Sequence, residues 1–435
     1  MNVVAGSGAS PLAAVPSIPP ASAPPADSGT GRFHGREGAF FALLVRGSLF
    51  LMLTLGIYRF WLATDVRRFL WGNTEIAGDA LEYTGTAKEL LIGFLMAVVL
   101  LLPVNALIFL ATFTPGLLKF SGLIGFLLLA VLGQFAVFRA RRYRLTRTVF
   151  RGVRLHQTGS AWAYAFRSVV WWLAILLTAG LAYPWATANL ERFKMRHTHY
   201  GDLTGRFEGS GTRLFLRGVL LWLVVVVPFL AALVAAVAAV DWEALARTLA
   251  ASGANARQLF DEASPSLAAA IVFASAGIGW AVLAAALLYP LFRAMTLRWW
   301  LSGLRLGGVR AESCLRTGQV YALYLRFVGF AVLFAMAAMI FAGLVFGFLS
   351  AASKSFGDSQ TIEILSTALG LGAYVAVMLG YSAIYQATVV IRFWRLSFET
   401  TELFGLRALE NVKAVAGPSS PLGEGLADAL DVGGL

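Results

Sequence analysis

One spelling returns along the chain and limits what it can fold into more than any other feature. Arg68, Thr74, Gly78, Leu81, Glu82, Gly85 and Thr86 are answered by Arg142, Thr148, Gly152, Leu155, His156, Gly159 and Ser160 at identical intervals. Arg192, Thr198, Gly201, Phe207, Glu208, Gly211 and Thr212 keep the order with small changes of spacing. Arg298, Leu304 and Gly308, then Arg395, Thr401 and Gly405, repeat the first half, and the second half is lost from both. Copies of one unit imply one local structure used repeatedly, so whatever one copy forms its neighbours form too.

Within a unit the residues spell a helix end followed by a small hairpin. Trp61, Arg67, Arg68 and Phe69 suit a helix leaving a bilayer, where rings sit at headgroup depth and cations meet phosphates. Two short extended runs follow, 74–83 in the first copy and 148–157 in the second, each broken by a glycine able to take positive φ. The second glycine, with Thr86 or Ser160 beside it, restarts a helix with the hydroxyl as N-cap.

The segments between units set the class. Of 435 residues 58% are hydrophobic and only 13% charged, with mean hydropathy +0.73, far from soluble composition and right for a polytopic membrane protein. The net charge of +12 does not indicate nucleic acid, because the cations flank apolar segments, where anionic lipid headgroups are the partners expected. The single cysteine, Cys314, excludes an internal disulfide and thiolate metal clusters.

Apolar runs fall near 39–62, 89–113, 120–138, 168–187, 214–240, 267–292, 327–350 and 365–391. If all of them cross, the Lys and Arg residues divide almost evenly between the two faces. If runs 39–62 and 168–187 enter and leave on one face, only Lys119, Arg247, Arg257 and Lys354 of the 35 cations lie on the far side, as the positive-inside tendency requires. Those two runs also share a spelling, Leu53-Thr54-Leu55-Gly56 and Leu177-Thr178-Ala179-Gly180, with Gly56, Gly180 and Pro184 placed to break a helix. The fold expected is all-α and polytopic: six transmembrane helices, two re-entrant or interfacial helical hairpins, and short cytoplasmic β-hairpins in the repeated loops. Residues 1–30, Ala- and Pro-rich, read as a disordered tail, as do 414–435. Between them lie a first membrane repeat, 31–138, a second, 139–292, and a divergent third, 293–413, with both termini cytoplasmic.

Candidate chemistry is sparse. Asn105, Gln134 and Gln386 are intramembrane polar residues that could line a pathway, although such amides also serve as hydrogen-bond glue between helices. Arg67, Arg68, Arg141, Arg142, Arg192, Arg298 and Arg395 are candidate contacts for anionic headgroups. Arg46, Arg167, Arg217 and Arg326, at the starts of apolar runs, read as snorkelling anchors. The hairpin positions Thr74, Gly78, Glu82, Thr148, Gly152, Thr198, Glu208, Thr401 and Gly405 carry the repeat, with Glu82 and Glu208 expected as charge partners of Arg68 and Arg192. His197 and His199 lack further residues at ligand spacing, so no metal, cofactor or catalytic residue is assigned.

The stretches FHGREGAFFALL, LTLGIYRFW, RRFLWGNTEIAG, EYTGT and YPWATANLERF resemble the YjgN-like family of bacterial inner-membrane proteins, a domain of unknown function. The resemblance is strongest from Phe33 to Gly93, good from Arg139 to about Leu214 and thin beyond Tyr289, and position 304 departs from it with leucine where threonine stands elsewhere. It implies an inner-membrane location with repeated aromatic and basic loops, and it carries over no catalytic residue. The leading functional expectation is therefore a non-enzymatic pathway or cavity for a small solute or lipid. The alternative is a scaffold whose basic loops bind anionic lipid or a protein partner; neither a partner nor an oligomeric state is legible.

Overall fold

A computed structural model describes residues 27–111, 113, 118–250, 254–356, 360–415 and 430. Most of residues 1–30 and 414–435, read above as disordered tails, lie outside that set. Six helices, Ala87–Leu110, Gly122–Thr146, Gly211–Ala239, Ser264–Gly303, Thr317–Ala351 and Glu363–Glu399, are long and apolar enough to cross a membrane. Together they make the chain a polytopic membrane protein.

The order strand, helix, helix, strand occurs five times. First come β1 (Ser28–Phe33), α1 (Glu37–Leu53), α2 (Arg59–Gly72) and β2 (Thr74–Ile76). The halves of one interrupted strand, β3 (Asp79–Ala80) and β4 (Glu82–Tyr83), lead to α3 (Ala87–Ala111), α4 (Leu118–Thr146) and β5 (Thr148–Phe150). The third set is β6 (Val153–Gln157), α5 (Ala161–Leu177), α6 (Tyr183–Arg196) and β7 (Thr198–Tyr200). The fourth is β8 (Leu203–Phe207), α7 (Gly211–Ala239), a short α8 (Trp242–Ala250), α9 (Ala254–Gly303) and β9 (Leu304–Leu306). The fifth is β10 (Val309–Ser313), α10 (Thr317–Phe356), α11 (Gln360–Tyr385) continuing through a π-helical stretch, Gln386–Val390, into α12 (Ile391–Glu399), and β11 (Thr401–Phe404).

All the strands join one antiparallel sheet in the order β3-β2-β1-β11-β10-β9-β8-β7-β6-β5-β4. Its two ends, β3 and β4, are consecutive in the chain with only Leu81 between them, and the Leu81 amide bonds to the Thr74 carbonyl at 2.9 Å. The sheet is therefore a closed ring. This corrects the all-α expectation of separate hairpins, and the reason is elementary: an isolated hairpin leaves two rows of backbone N–H and C=O groups unpaired, whereas closure removes every edge. Each longer strand pairs first within its own hairpin and then with the next. Val153 and Arg154 face β5, for example, while Leu155, His156 and Gln157 face β7.

Two further expectations change here. The second halves thought lost from the fourth and fifth units exist: β10 completes the fourth by pairing with β9, and β1 completes the fifth from the other end of the chain by pairing with β11 and β2. Residues 28–30, assigned to the tail, thus belong to β1, because their backbone finds partners in Glu402, Leu403 and Phe404. The turns need positive φ, which Gly78, Gly152, Gly201 and Gly405 supply, and in the fourth unit Gly307 takes the role expected of Gly308.

Ring closure turns one face of every hairpin inward. Phe150, Tyr200 and Val309 meet Ile76, Leu81, Leu155, Leu306 and Leu403 there. A 3₁₀ turn after β11 adds Leu406 and Leu409, so the inside of the ring is lined with hydrocarbon.

Because one ring holds every strand, the chain leaves it at β1 and returns to it at β2, and likewise at β6 and β7. Each of these excursions is a helix pair joined by the same tight turn. Thr54 Oγ1 donates to the Phe50 carbonyl at 2.7 Å and accepts from the Tyr58 amide at 3.0 Å. Thr178 does the same with Ala174 and Ala182. Leu55 and Gly56, and again Ala179 and Gly180, take positive φ, and the glycine amides bond back to Leu51 at 2.8 Å and Ile175 at 2.7 Å.

Candidate functional site

The helix that precedes each first strand ends in an aromatic and basic cluster, and ring closure gathers these clusters around the axis. In four of the five units the first-strand residue is a threonine whose hydroxyl donates to the carbonyl four residues back: Thr74 to Leu70 at 2.7 Å, Thr148 to Arg144 at 2.9 Å, Thr198 to Lys194 at 2.8 Å, Thr401 to Ser397 at 2.6 Å. Three of these hydroxyls also accept from the preceding unit. Trp394 Nε1 reaches Thr74 at 2.8 Å, Trp71 Nε1 reaches Thr148 at 3.0 Å and Arg141 reaches Thr198 at 2.8 Å. The repeated threonine is thus a pin between neighbours. At Leu304 the pin is replaced for a visible reason: the preceding unit presents Glu191, an acceptor, and it takes a hydrogen bond from Trp300 Nε1 at 3.1 Å instead.

The repeated arginine has an equally local role. Arg68 donates to the Gly85 carbonyl at 3.0 Å, Arg142 to Gly159, Arg192 to Gly209 at 3.1 Å, Arg298 to Leu315 at 3.4 Å and Arg395 to Gly35 at 2.7 Å. Each guanidinium fixes the exit of a second strand, and Arg395 does so across the seam between chain ends. Arg67, buried, donates to the Tyr83 hydroxyl at 3.2 Å. Arg68 and Arg192 therefore meet backbone carbonyls rather than the glutamates expected. Glu208 pairs with Arg305 at 3.0 Å, and Glu82 is exposed on β4. In the basic stretch 141–154, Arg147 pairs with Glu89 at 2.9 Å, Arg151 with Asp79 at 2.6 Å, and Arg154 donates to Thr84 at 3.0 Å.

The three intramembrane amides do not converge. Asn105 donates to Leu101 of its own helix at 2.9 Å and Gln386 to Ser382 of its own at 3.3 Å, while Gln134 is half-buried on α4. Asn105 and Gln134 lie on neighbouring helices, α3 and α4, whereas Gln386 follows α11, which packs on α1 and α10.

A cavity of about 800 Å³ does converge, on the membrane side of the ring. Trp71, Trp300, Phe393, Trp394 and Phe398 wall it, with Tyr385, Val389 and Val390 at the π-helical stretch, a kind of distortion that recurs at functional sites. Trp71 and Trp394 pack with centroids 4.9 Å apart. Among the described residues its one cation is Arg293, stacked over the Phe393 ring at 4.8 Å. A second cavity of about 310 Å³ lies inside the ring and shares Ile76, Trp300, Leu304, Ala311 and Leu403 with the first. The sequence reading passed over Arg293 and these tryptophans. Their signal was the recurrence of Trp within four residues of the unit's first strand in Trp71, Trp300 and, one turn earlier, Trp394.

His156 and His199 come together at one ring seam, where their rings stack at 4.9 Å. Burial lowers the pKa of both, and His156 and His197 lower that of His199 further. Among the described residues no group of three or more His, Cys, Asp or Glu is placed to hold a metal ion.

A family profile described as "Bacterial protein of unknown function (DUF898)" matches residues 28–429. Two curated relatives are both named "Inner membrane protein YjgN". The one from Escherichia coli O157:H7 is 27% identical over 167 residues, 38% of this chain and 39% of the relative. The one from Escherichia coli strain K12 is 26% identical over 163 residues, 38% of each. The match thus spans about two-fifths of the length of these relatives. No solved structure matches.

Proposed function

Because the chain belongs to the DUF898 family of bacterial proteins of unknown function, no activity comes with its membership, and we propose one from its geometry. It is a non-enzymatic protein of the bacterial inner membrane that receives a small apolar or amphiphilic solute, or a lipid, in the cavity beneath the strand ring. The ring and both ends of the described chain face the cytoplasm, the side that the positive-inside tendency assigns to the cation-rich units. The observation that carries the proposal is the aromatic cavity of about 800 Å³, a volume in the range of small-molecule sites.

In this picture α1–α2 and α5–α6 dip into the bilayer and return. Each helix of 14 or 17 residues spans roughly 21–26 Å at 1.5 Å per residue, short of the ~30 Å hydrocarbon core. Their threonine-capped turns keep amides bonded inside the chain, which lipid requires.

Two measurements check these statements. With Cys314→Ser as background, Leu55→Cys at the first hairpin tip is expected to resist a membrane-impermeant thiol reagent from both sides. Labelling from the periplasmic side would mean that the pair crosses twice. Val390→Trp, which adds bulk to the cavity wall, is expected to cut the occupancy of co-purifying lipid or small apolar molecules at least about fivefold by native mass spectrometry, a loss of roughly 1 kcal/mol of binding. Unchanged occupancy would remove the cavity from the account.

A further inference from the structure

Arg293 differs from the repeated arginines, and from Arg217 and Arg326 on neighbouring helices, in lining the cavity. The repeated arginines bond to carbonyls and Arg147, Arg151 and Arg392 pair with carboxylates, whereas no hydrogen bond or ion pair joins Arg293 to another described residue. The spans supply no carboxylate for it, since acidic residues occur in them only near the ends, at Glu89, Glu363 and Glu399. A cation within a membrane span is costly without a counter-charge, so its anion comes from outside the chain.

Depth narrows the kind of anion. Arg293 lies ten residues before the end of α9, about 15 Å from the ring at 1.5 Å per residue. Arg217 on α7 and Arg326 on α10 lie at a comparable remove, about 9 to 14 Å, and stand at the starts of apolar runs as headgroup anchors do. Arg293 therefore shares the headgroup level but lines the cavity. The wall around it is apolar and aromatic: Leu297, Phe393, Trp394, Val389 and Val390.

From this geometry, and resting on the function proposed above, we infer that the cavity takes an anionic amphiphile drawn from the surrounding leaflet, with its phosphate on Arg293 and its hydrocarbon among the aromatic residues. A guanidinium and a phosphate oxygen make charge-assisted, often bidentate hydrogen bonds, which favour an anionic headgroup over a zwitterionic one of equal chain length.

The test uses the full chain in nanodiscs of phosphatidylcholine doped with phosphatidylglycerol of identical chains, read by native mass spectrometry of the retained lipid. Wild type is expected to retain phosphatidylglycerol over phosphatidylcholine by about tenfold or more, Arg293→Gln to abolish that preference, and Arg326→Gln to keep it. A preference that survives in Arg293→Gln overturns the headgroup assignment. If Val390→Trp, or the milder Val390→Phe, still releases the lipid in that case, the cavity itself stands. If neither set of variants changes retention, the cavity fails along with the headgroup. A third arm offers dodecyl phosphate to delipidated protein. Binding that depends on Arg293 there, with no lipid retained in nanodiscs, overturns the leaflet as source and makes the ligand a free amphiphile.

Discussion

A chain lacking residues 28–33 is expected to yield no monodisperse folded protein. β1 joins β11 to β2, so its loss opens the ring between them. Two rows of backbone groups then lose partners, three register positions on each side. Each group left unsatisfied in a buried setting costs about 1–3 kcal/mol. Phe33 also leaves the cluster of Phe40, Leu44, Val66, Leu70 and Ile391, a loss of about 2–3 kcal/mol. Arg395 keeps its charge but loses the Phe33 ring, over which it sits at 5.5 Å. The sum rivals the ~5–15 kcal/mol that holds a whole domain together. Size-exclusion chromatography of the solubilised protein reads the result, and adding a peptide of residues 27–36 is expected to restore the single peak. A truncated chain that stays monodisperse with an unchanged thermal midpoint would show that the strand is dispensable.

The second large effect is expected at Thr74. Its side chain is fully buried, donates to Leu70 and accepts from Trp394 Nε1. Thr74→Val keeps the shape and removes the hydroxyl, which strands the indole N–H in an apolar site at a cost of about 2–3 kcal/mol. The thermal midpoint is expected to fall by several degrees, whereas Thr74→Ser, which keeps both hydrogen bonds, loses far less. Equal losses for valine and serine would reduce the threonine to a packing residue. Leu304→Thr is expected to gain nothing, because Glu191 faces that seam as an acceptor and is already engaged by Trp300.

Much of this was legible because it is local. The interval from Arg68 to Gly85 recurs from Arg142 to Gly159, and in space it is the span of one hydrogen bond. The paired spellings around Thr54 and Thr178 became the same turn, built on a hydroxyl and a glycine that any helix end can use. What the spacing could not convey is pairing between distant segments. Arg32-Phe33-His34-Gly35 matches Arg206-Phe207-Glu208-Gly209, down to an aromatic ring packed over the glycine that ends each, yet one copy lies ahead of the first apolar run, far from the unit it completes. The circular arrangement hides its own seam. The arginines misled for a related reason: their position at a membrane surface is visible in sequence, whereas the carbonyl each one meets is set by the fold. Arg293 went unremarked because it belongs to no repeat, and only the cavity sets it apart.

Closure of the ring by the first strand is the central claim, and disulfide trapping at the seam tests it most directly. In a Cys314→Ser background, Thr30→Cys with Glu402→Cys places thiols on register partners of β1 and β11, residues nearly a whole chain apart. Partners in an antiparallel pair have Cα atoms about 4.5–5.5 Å apart, within reach of a disulfide. Mild oxidation in membranes is expected to give an intramolecular bond, seen by mass spectrometry as one cross-linked peptide from a monomeric band. Free thiols under the same oxidation, or a bond formed only between two molecules, would contradict a ring closed within one chain.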